Sequence, residues 1–307
     1  MSKQLRITLL LGVAIAMSMF ISACGGSTTT TTGSSTPTTL GTPGSFNCIS
    51  GTLTASGSTA LAPLVKAVAQ KYEAKCSGAT ITVNLGGSKT GLANVEAGSV
   101  NIGNSDVPAS ATQADLVDHQ VAVVVFGIIV NKDVTLTSIT TAQIKQIYGG
   151  QVTNWKQVGG PDLPIVVVSR PTSSGTRATF QKYVLGGPET ISGPASLTTD
   201  STGTVITNVA QNNGAIGYAA TGPAKLNSGV TLLPVDGVAP TTDNAKNNSY
   251  KFWNIEHMYT KGPAVPLAQA LIDYMTNADA KAVAAQQQFV AISDMSPDAI
   301  SAHNAVS

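Results

Sequence analysis

From about residue 50 onward, short runs of β-branched and aliphatic residues alternate with stretches whose apolar positions recur at helical spacing. Alternation of this kind marks an α/β chain with helices packed on a mainly parallel sheet. The strand-like runs are 52–54, 80–85, 121–130, 165–169, 215–218 and 231–235. Among the helices, the clearest carries Leu61, Leu64, Val65, Val68, Ala69 and Tyr72 on one stripe. Further helices are expected over 141–148, 176–184, 265–275 and 278–289, and no fixed-period repeat is visible.

In such sheets ligands sit in the loops at the carboxyl ends of the strands. Three of those loops are alike: SGSTAL (56–61), LGGSKTGL (85–92) and TSSGTRATF (172–180), the last with Arg170 just ahead of it. Each sets glycine and hydroxyl residues at the first turn of a helix. There the leading N–H groups have no internal partner, and glycine lets a ligand approach the backbone. One such cluster reads as an ordinary helix cap. Three, with an arginine beside the third, point to a small dehydrated oxyanion.

The charge balance fits a local site of this kind. The chain has 307 residues, 42% hydrophobic and 11% charged, enough for a real core and about two domains. Lys+Arg 17 against Asp+Glu 16 leaves a net charge of +1, which excludes the broad basic face that nucleic acid requires.

The N-terminus has the anatomy of an export signal: Lys3 and Arg6, an apolar run from Ile7 to Ile21, then small residues before Cys24. Ile21-Ser22-Ala23-Cys24 resembles the lipobox of bacterial lipoproteins, which implies cleavage after residue 23 and lipid on Cys24. Residues 24–45 are nearly all Thr, Ser, Gly and Pro and read as a tether, with the folded body starting near Phe46. The expected location is the outer face of the cytoplasmic membrane, reached through the lipid. Cys48 and Cys76 are the remaining cysteines, and a single pair in an exported chain reads as a disulfide.

Taken in order, GSTALAPL, GGSKTG, IGNSDVPAS, QIYGGQVTNW, SRPTSSGTRATF and GAIGYAA resemble the phosphate-binding component of the bacterial ABC phosphate importer. The resemblance covers nearly everything beyond residue 50. It implies a type II periplasmic-binding-protein fold, with two α/β domains and a ligand cleft between them. The domains would be 46–126 plus 252–307 and 127–251, joined by crossings around 123–130 and 250–255. It also implies a monomer that binds inorganic phosphate and hands it to membrane permease subunits, with no cofactor and no metal. Carried over by motif, the phosphate ligands are Thr59, Ala60, Ser88, Asp106, Arg170, Ser174, Gly175 and Thr176. Some positions depart from the pattern. Lys89 and Thr90 stand in a stretch usually rich in Gly or Ser, Thr172 stands where relatives often carry an acid that orients the arginine, and Ala60 stands where some relatives have an aromatic.

Hydrogen phosphate is both acceptor and donor, since its last proton has a pKa of roughly 6 to 7. Asp106 would be repulsive to an anion unless it accepts that proton's hydrogen bond, so it should reject sulfate. An unpaired buried ion is worth about 3 to 5 kcal/mol, which converts to hundreds- to thousands-fold in affinity. In a plainer role Asp106 would cap a helix beginning near Ser110 or pair with a surface lysine. The alternatives for the whole chain are the same fold binding sulfate, molybdate or tungstate, and a phosphatase-like enzyme. Against an enzyme stand the missing G-x-S-x-G, S-x-x-K and H-E-x-x-H motifs and the missing Cys/His metal set. His119, His257 and His303 are scattered and read as surface or packing residues; Trp155 and Trp253 read as core or partner-contact aromatics.

Overall fold

The computed structural model describes residues 47–190 and 196–306. The export signal over 1–23, Cys24, the tether over 24–45 and the start of the body at Phe46 lie outside the described residues. The chain begins with β1 (Gly51–Gly57), α1 (Ala62–Lys75), β2 (Ala79–Leu85), α2 (Ser88–Glu96) and β3 (Ile102–Ser105). The long β4 (Leu116–Asn131) follows, then α3 (Thr141–Tyr148), β5 (Val166–Ser169), α4 (Gly175–Phe180), β6 (Ser196–Thr198), α5 (Thr202–Gln211) and β7 (Ala215–Ala220). After these come α6 (Thr221–Lys225), β8 (Val230–Leu233) and α7 (Thr242–Lys246). The chain closes with β9 (Trp253–Lys261), α8 (Pro266–Met275), α9 (Ala278–Gln286), β10 (Phe289–Val290) and α10 (Pro297–Asn304).

The strands run in the order β2-β1-β3-β9-β4-β7-β5-β6, with β8 and β10 also paired to β4. Two parallel triads, β2-β1-β3 and β7-β5-β6, flank a pair of long strands. Every antiparallel pairing among the described strands involves β4 or β9, so the sheet is mixed and not mainly parallel. The reason is topological: β4 and β9 carry the chain between the triads, β9 running against β3 of the first, β4 against β7 of the second, and the two against each other. Along β4 the partner changes, from β9 up to Val125 to β7 from Phe126 onward. Val121 to Asn131 is buried without a break, as expected of a strand covered on both faces, and its run of Val and Ile side chains suits that position.

The helices start where their sequences direct. Pro63 occupies the first turn of α1, whose stripe of Leu64, Val65, Val68, Ala69 and Tyr72 is buried. Thr140 and Gln143 form a capping box on α3, and Ser174 and Ser201 cap α4 and α5. The helix expected over 176–184 is two pieces: α4, then a π-turn over Gln181–Leu185 that closes on Gly186 at φ 65°. Beneath α4, Phe180 stacks on Tyr218 with centroids 4.2 Å apart and meets Tyr148 at 4.7 Å, which fixes the helix above the sheet. Trp155 and Trp253 are both buried core residues.

Cys48 and Cys76 form a disulfide, with Cα atoms 5.2 Å apart, that ties the entry of the body to the end of α1. Closing a loop of 28 residues stabilises the fold by about 3 to 4 kcal/mol in the chain-entropy picture.

His303 on α10 lies between Tyr183 and Trp253, with ring centroids 3.8 and 3.6 Å away. Burial, helped by Lys182 and Lys251, lowers its pKa from 6.5 to about 3. The unfolded chain therefore takes up a proton that the docked ring refuses. Stability is intact above pH 6.5 and drains away below it, by about 1.4 kcal/mol per pH unit. Replacing His303 with Phe keeps the stack and removes this drain. Urea unfolding at pH 7 and pH 5 should show wild type losing about 2 kcal/mol more than His303→Phe over that interval.

Candidate anion-binding site

The loops that follow β1, β2, β3, β5 and β6 meet at the carboxyl ends of the two parallel triads. Asp106, just past the end of β3, is the centre of the cluster and is 2% exposed. One carboxyl oxygen accepts from the Ser58 hydroxyl of the first loop, and the other from Thr176 Oγ1 at 2.8 Å. Its backbone N–H donates to Ser88 Oγ at 2.9 Å, and Asn254 Nδ2 on β9 donates to its carbonyl at 2.6 Å. Four remote segments thus converge on one residue. The plainer reading of Asp106 as a cap fails: no helix begins near Ser110, and its partners are the buried hydroxyls of the loops.

Arg170 forms the second focus. The residue is 1% exposed. Nη2 donates to Thr59 Oγ1 at 3.1 Å and to the Asp200 carbonyl at 3.0 Å, whereas Nε and Nη1 are buried with no partner. Thr59 Oγ1 also accepts from the Thr202 N–H at 3.1 Å, which closes the first loop onto the start of α5. Burial lowers the arginine pKa, opposed by Asp106, Tyr218 and Asp200, and an arginine keeps its charge through such shifts.

Arg170 has no acid two residues later; Thr172 is exposed. The nearby acid is Glu189, which is 8% exposed and accepts from Ser169 Oγ at 2.6 Å. It lies 2.8 Å from Arg177 Nε, close enough for an ion pair though too poorly aligned for a hydrogen bond. Arg177 Nη1 in turn donates to the Arg170 carbonyl at 2.6 Å. Glu189 therefore steadies the backbone of the arginine loop, not the guanidinium. Burial raises the Glu189 pKa, and the Ser169 hydroxyl and Arg177 draw it back.

All eight residues expected at the site are buried and lie in this cluster: Thr59, Ala60, Ser88, Asp106, Arg170, Ser174, Gly175 and Thr176. The Ala60 N–H donates to Ser58 Oγ at 3.1 Å, and Ser174 Oγ accepts from the Arg177 N–H at 3.2 Å. Lys89 is exposed, and its N–H donates to the Ser173 carbonyl at 3.1 Å, joining the second loop to the third. Sequence reasoning missed Ser58, Asp200, Thr202, Asn254 and Glu256. Ser58 stood inside a motif already singled out. DSTGTV (200–205) repeats the glycine and hydroxyl pattern ahead of α5 and could have been found. Glu256, 0% exposed on β9, had no sequence signal.

A cavity of about 410 Å³ lies behind the cluster, bordered by Thr179, Lys182, Asn254, Asp118 and His257. It contains none of the eight residues. The convergent hydroxyls, the guanidinium and the carboxylate lie in the closed polar cluster instead. No group of three or more His, Cys, Asp or Glu residues able to hold a metal occurs among the described residues.

This is the architecture of a type II periplasmic-binding-protein fold. Residues 27–279 match the model of the PBP superfamily domain. Over 251 residues the chain is 44% identical to the phosphate-binding protein PstS of Bacillus subtilis (strain 168), covering 80% of this chain and 82% of that protein. A Clostridium perfringens structure with bound phosphate, described as an ABC transporter substrate-binding protein, aligns with TM-score 0.74 and 31% identity. That alignment covers 79% of this chain and 100% of the other. An ABC-type phosphate transport receptor from Vibrio cholerae aligns with TM-score 0.63 and 27% identity, over 78% and 99% of the two chains. The chain belongs to the PstS family of phosphate-binding proteins within the PBP superfamily. No helix among the described residues is long and apolar enough to cross a membrane.

The closeness of the loops depends on Gly175. A Cβ there would stand 2.2 Å from Ser88 Oγ and 2.9 Å from Asp106 Cβ, whereas one at Gly187 would meet nothing within 4 Å. Gly175→Ala should lose about 1 to 3 kcal/mol of stability in urea unfolding, and Gly187→Ala should stay within about 0.5 kcal/mol of wild type.

Proposed function

We propose that this chain binds inorganic phosphate outside the cytoplasmic membrane and delivers it to the permease of an ABC importer. One observation carries the reading: a buried guanidinium with two unpartnered nitrogens shares a cluster of hydroxyls and helix starts with a buried carboxylate. The guanidinium and the neutral donors suit an oxyanion. The carboxylate suits an oxyanion that carries a proton. A carboxylate offers about four acceptor sites, so Asp106 keeps room for a ligand O–H beside Ser58 and Thr176. Sulfate, molybdate and tungstate bring no such proton at neutral pH and would face an uncompensated charge.

In this reading Thr59, Ala60, Ser88, Asp106, Arg170, Ser174, Gly175 and Thr176 hold the phosphate, and Ser58 and Thr202 set the first loop. Domain one is 46–126 plus 252–307 and domain two is 127–251; the change of β4 partner at Phe126 and the start of β9 at Trp253 support that division. The protein works as a monomer held by lipid on Cys24 at the outer face of the membrane, and the segment before residue 46 serves as the tether. It is not an enzyme: Ser174, the residue nearest to a nucleophile in type, has its oxygen engaged as a helix cap. The relatives at hand are named as binding and transport proteins.

Titration of the soluble body, followed by the fluorescence of its buried tryptophans Trp155 and Trp253, tests this. Phosphate and arsenate should bind, and sulfate should bind at least about a hundredfold more weakly. Arg170→Ala should lose about 3 kcal/mol or more of phosphate affinity, and Asp106→Asn should narrow the gap between phosphate and sulfate. Equal binding of sulfate and phosphate by wild type would refute the assignment.

A further inference from the structure

Strands β3 and β9 pair antiparallel, with Gly103 opposite Tyr259, Asn104 opposite Met258 and Ser105 opposite His257. One step further along both chains, Asp106 comes opposite Glu256. Glu256 is 0% exposed, neither of its carboxyl oxygens accepts a hydrogen bond among the described residues, and its carboxyl reaches the side chain of Asp106. Two ionised carboxylates facing each other in a buried site are untenable, so the pair must hold a proton. The surroundings decide where. Asp106 accepts from Ser58 and Thr176 and lies within the field of Arg170, all of which favour the carboxylate. Glu256 has no donor aimed at it.

We propose that Glu256 is a neutral carboxylic acid that donates a hydrogen bond to Asp106 and so keeps Asp106 as the acceptor that reads the ligand's proton. Glu256 is thereby a positioning residue for anion selectivity. The inference rests on the phosphate reading above and extends it to the second layer of the site. It gives Asp106 three donors, Ser58, Thr176 and Glu256, leaving a lone pair for hydrogen phosphate. A proton supplied by Glu256 from behind also makes it harder for Asp106 to turn donor and welcome sulfate.

Burial first, and then Asp106, push the Glu256 carboxyl well above the usual range, which agrees with this assignment. The charged groups facing it are few. Asp106 is opposite, with Arg170 beyond; β4 presents Ala122, and Glu256 shares the face of Met258, whose core includes Leu64, Val65 and Val68 of α1, whereas Leu92 and Val95 of α2 pack on Tyr259 on the other face. Neighbouring Asn104 is neutral, its amide buried and unpartnered. His257 and Asp118, paired at 2.7 Å, occupy the opposite face of the sheet by strand alternation. Among the described residues, no cation lies against Glu256.

The test compares Glu256→Leu, which removes the donor, with Glu256→Gln, which restores one. Affinities for phosphate and sulfate are measured from pH 8 down to pH 5.5. Glu256→Leu should bind phosphate about ten- to a hundredfold more weakly, the size of a lost charge-assisted hydrogen bond. Its loss should deepen as the pH falls, while sulfate gains relative to phosphate. Glu256→Gln should recover most of both effects. A deficit of Glu256→Leu that is the same for both anions at every pH, or a Glu256→Gln no better than Glu256→Leu, would overturn the assignment. Independently of ligand, the infrared C=O stretch of a protonated carboxyl should be present in wild type at pH 7 and lost in Glu256→Gln; its absence from wild type overturns the assignment even if the variants misfold. Failure of wild type to bind phosphate removes the underlying reading as well. Normal binding by both wild type and Glu256→Leu removes the role of Glu256 alone.

Discussion

A carboxylate taken out of water has to be given donors, and at Asp106 those donors come from parts of the chain far apart in sequence. Ser58 donates to the carboxylate from the first loop and Thr176 from the third, while Asn254 on β9 donates to the Asp106 carbonyl and Ser88 in the second loop accepts from its N–H. Ser58 and Ser88 hang from the same triad as Asp106, but Thr176 follows β5 and can reach the carboxylate only when the ends of both parallel triads are brought face to face. The cost of leaving such a charge unpaired, several kcal/mol, is comparable to the net stability of a domain. Satisfaction of Asp106 and closure of the two halves upon each other are therefore one event. Arg170 is bound by the same logic, because its Nη2 can reach Thr59 only across the same gap.

The donor set explains how a chain with so few charges can specialise in an anion. In the proposed reading, hydroxyls and backbone N–H groups do most of the work, and one guanidinium supplies the charge. Around them a second ring keeps the geometry: Glu189 and Arg177 brace the backbone of the arginine loop, and the aromatic stack of Phe180 and Tyr218 holds α4 from below. Displacing any member of this outer ring would move the donors without touching the ligand. Sites that depend on oriented dipoles tolerate such displacement poorly.

Much of this was legible in the residues. The unbroken apolar run of β4, the stripe of α1, the three glycine and hydroxyl loops and the cysteine pair each carry a local signal strong enough to survive folding. Strand β9 carried none. Its Asn254, Glu256 and His257 interrupt the apolar pattern because they face polar partners inside the molecule, and such a strand looks like a loop until its neighbours are known. The four-residue β3 was too short to show a period. Strand direction was misread for a different reason: the direction of β4 and β9 depends on where the chain must travel, and no side chain encodes it. The place of Glu256 opposite Asp106 is likewise a matter of register.

The bond between Cys48 and Cys76 lies three residues ahead of β1, and beside it the Tyr72 hydroxyl accepts from the Ile49 N–H and donates to the Asn47 carbonyl. A pull on the N-terminal end of the body is consequently diverted into the far end of α1 before it reaches the sheet. Because β1 lies between β2 and β3 and its loop holds Ser58 and Thr59, this arrangement works as a strain relief. Mechanical load on the leading segment bypasses the strand from which the anion donors hang.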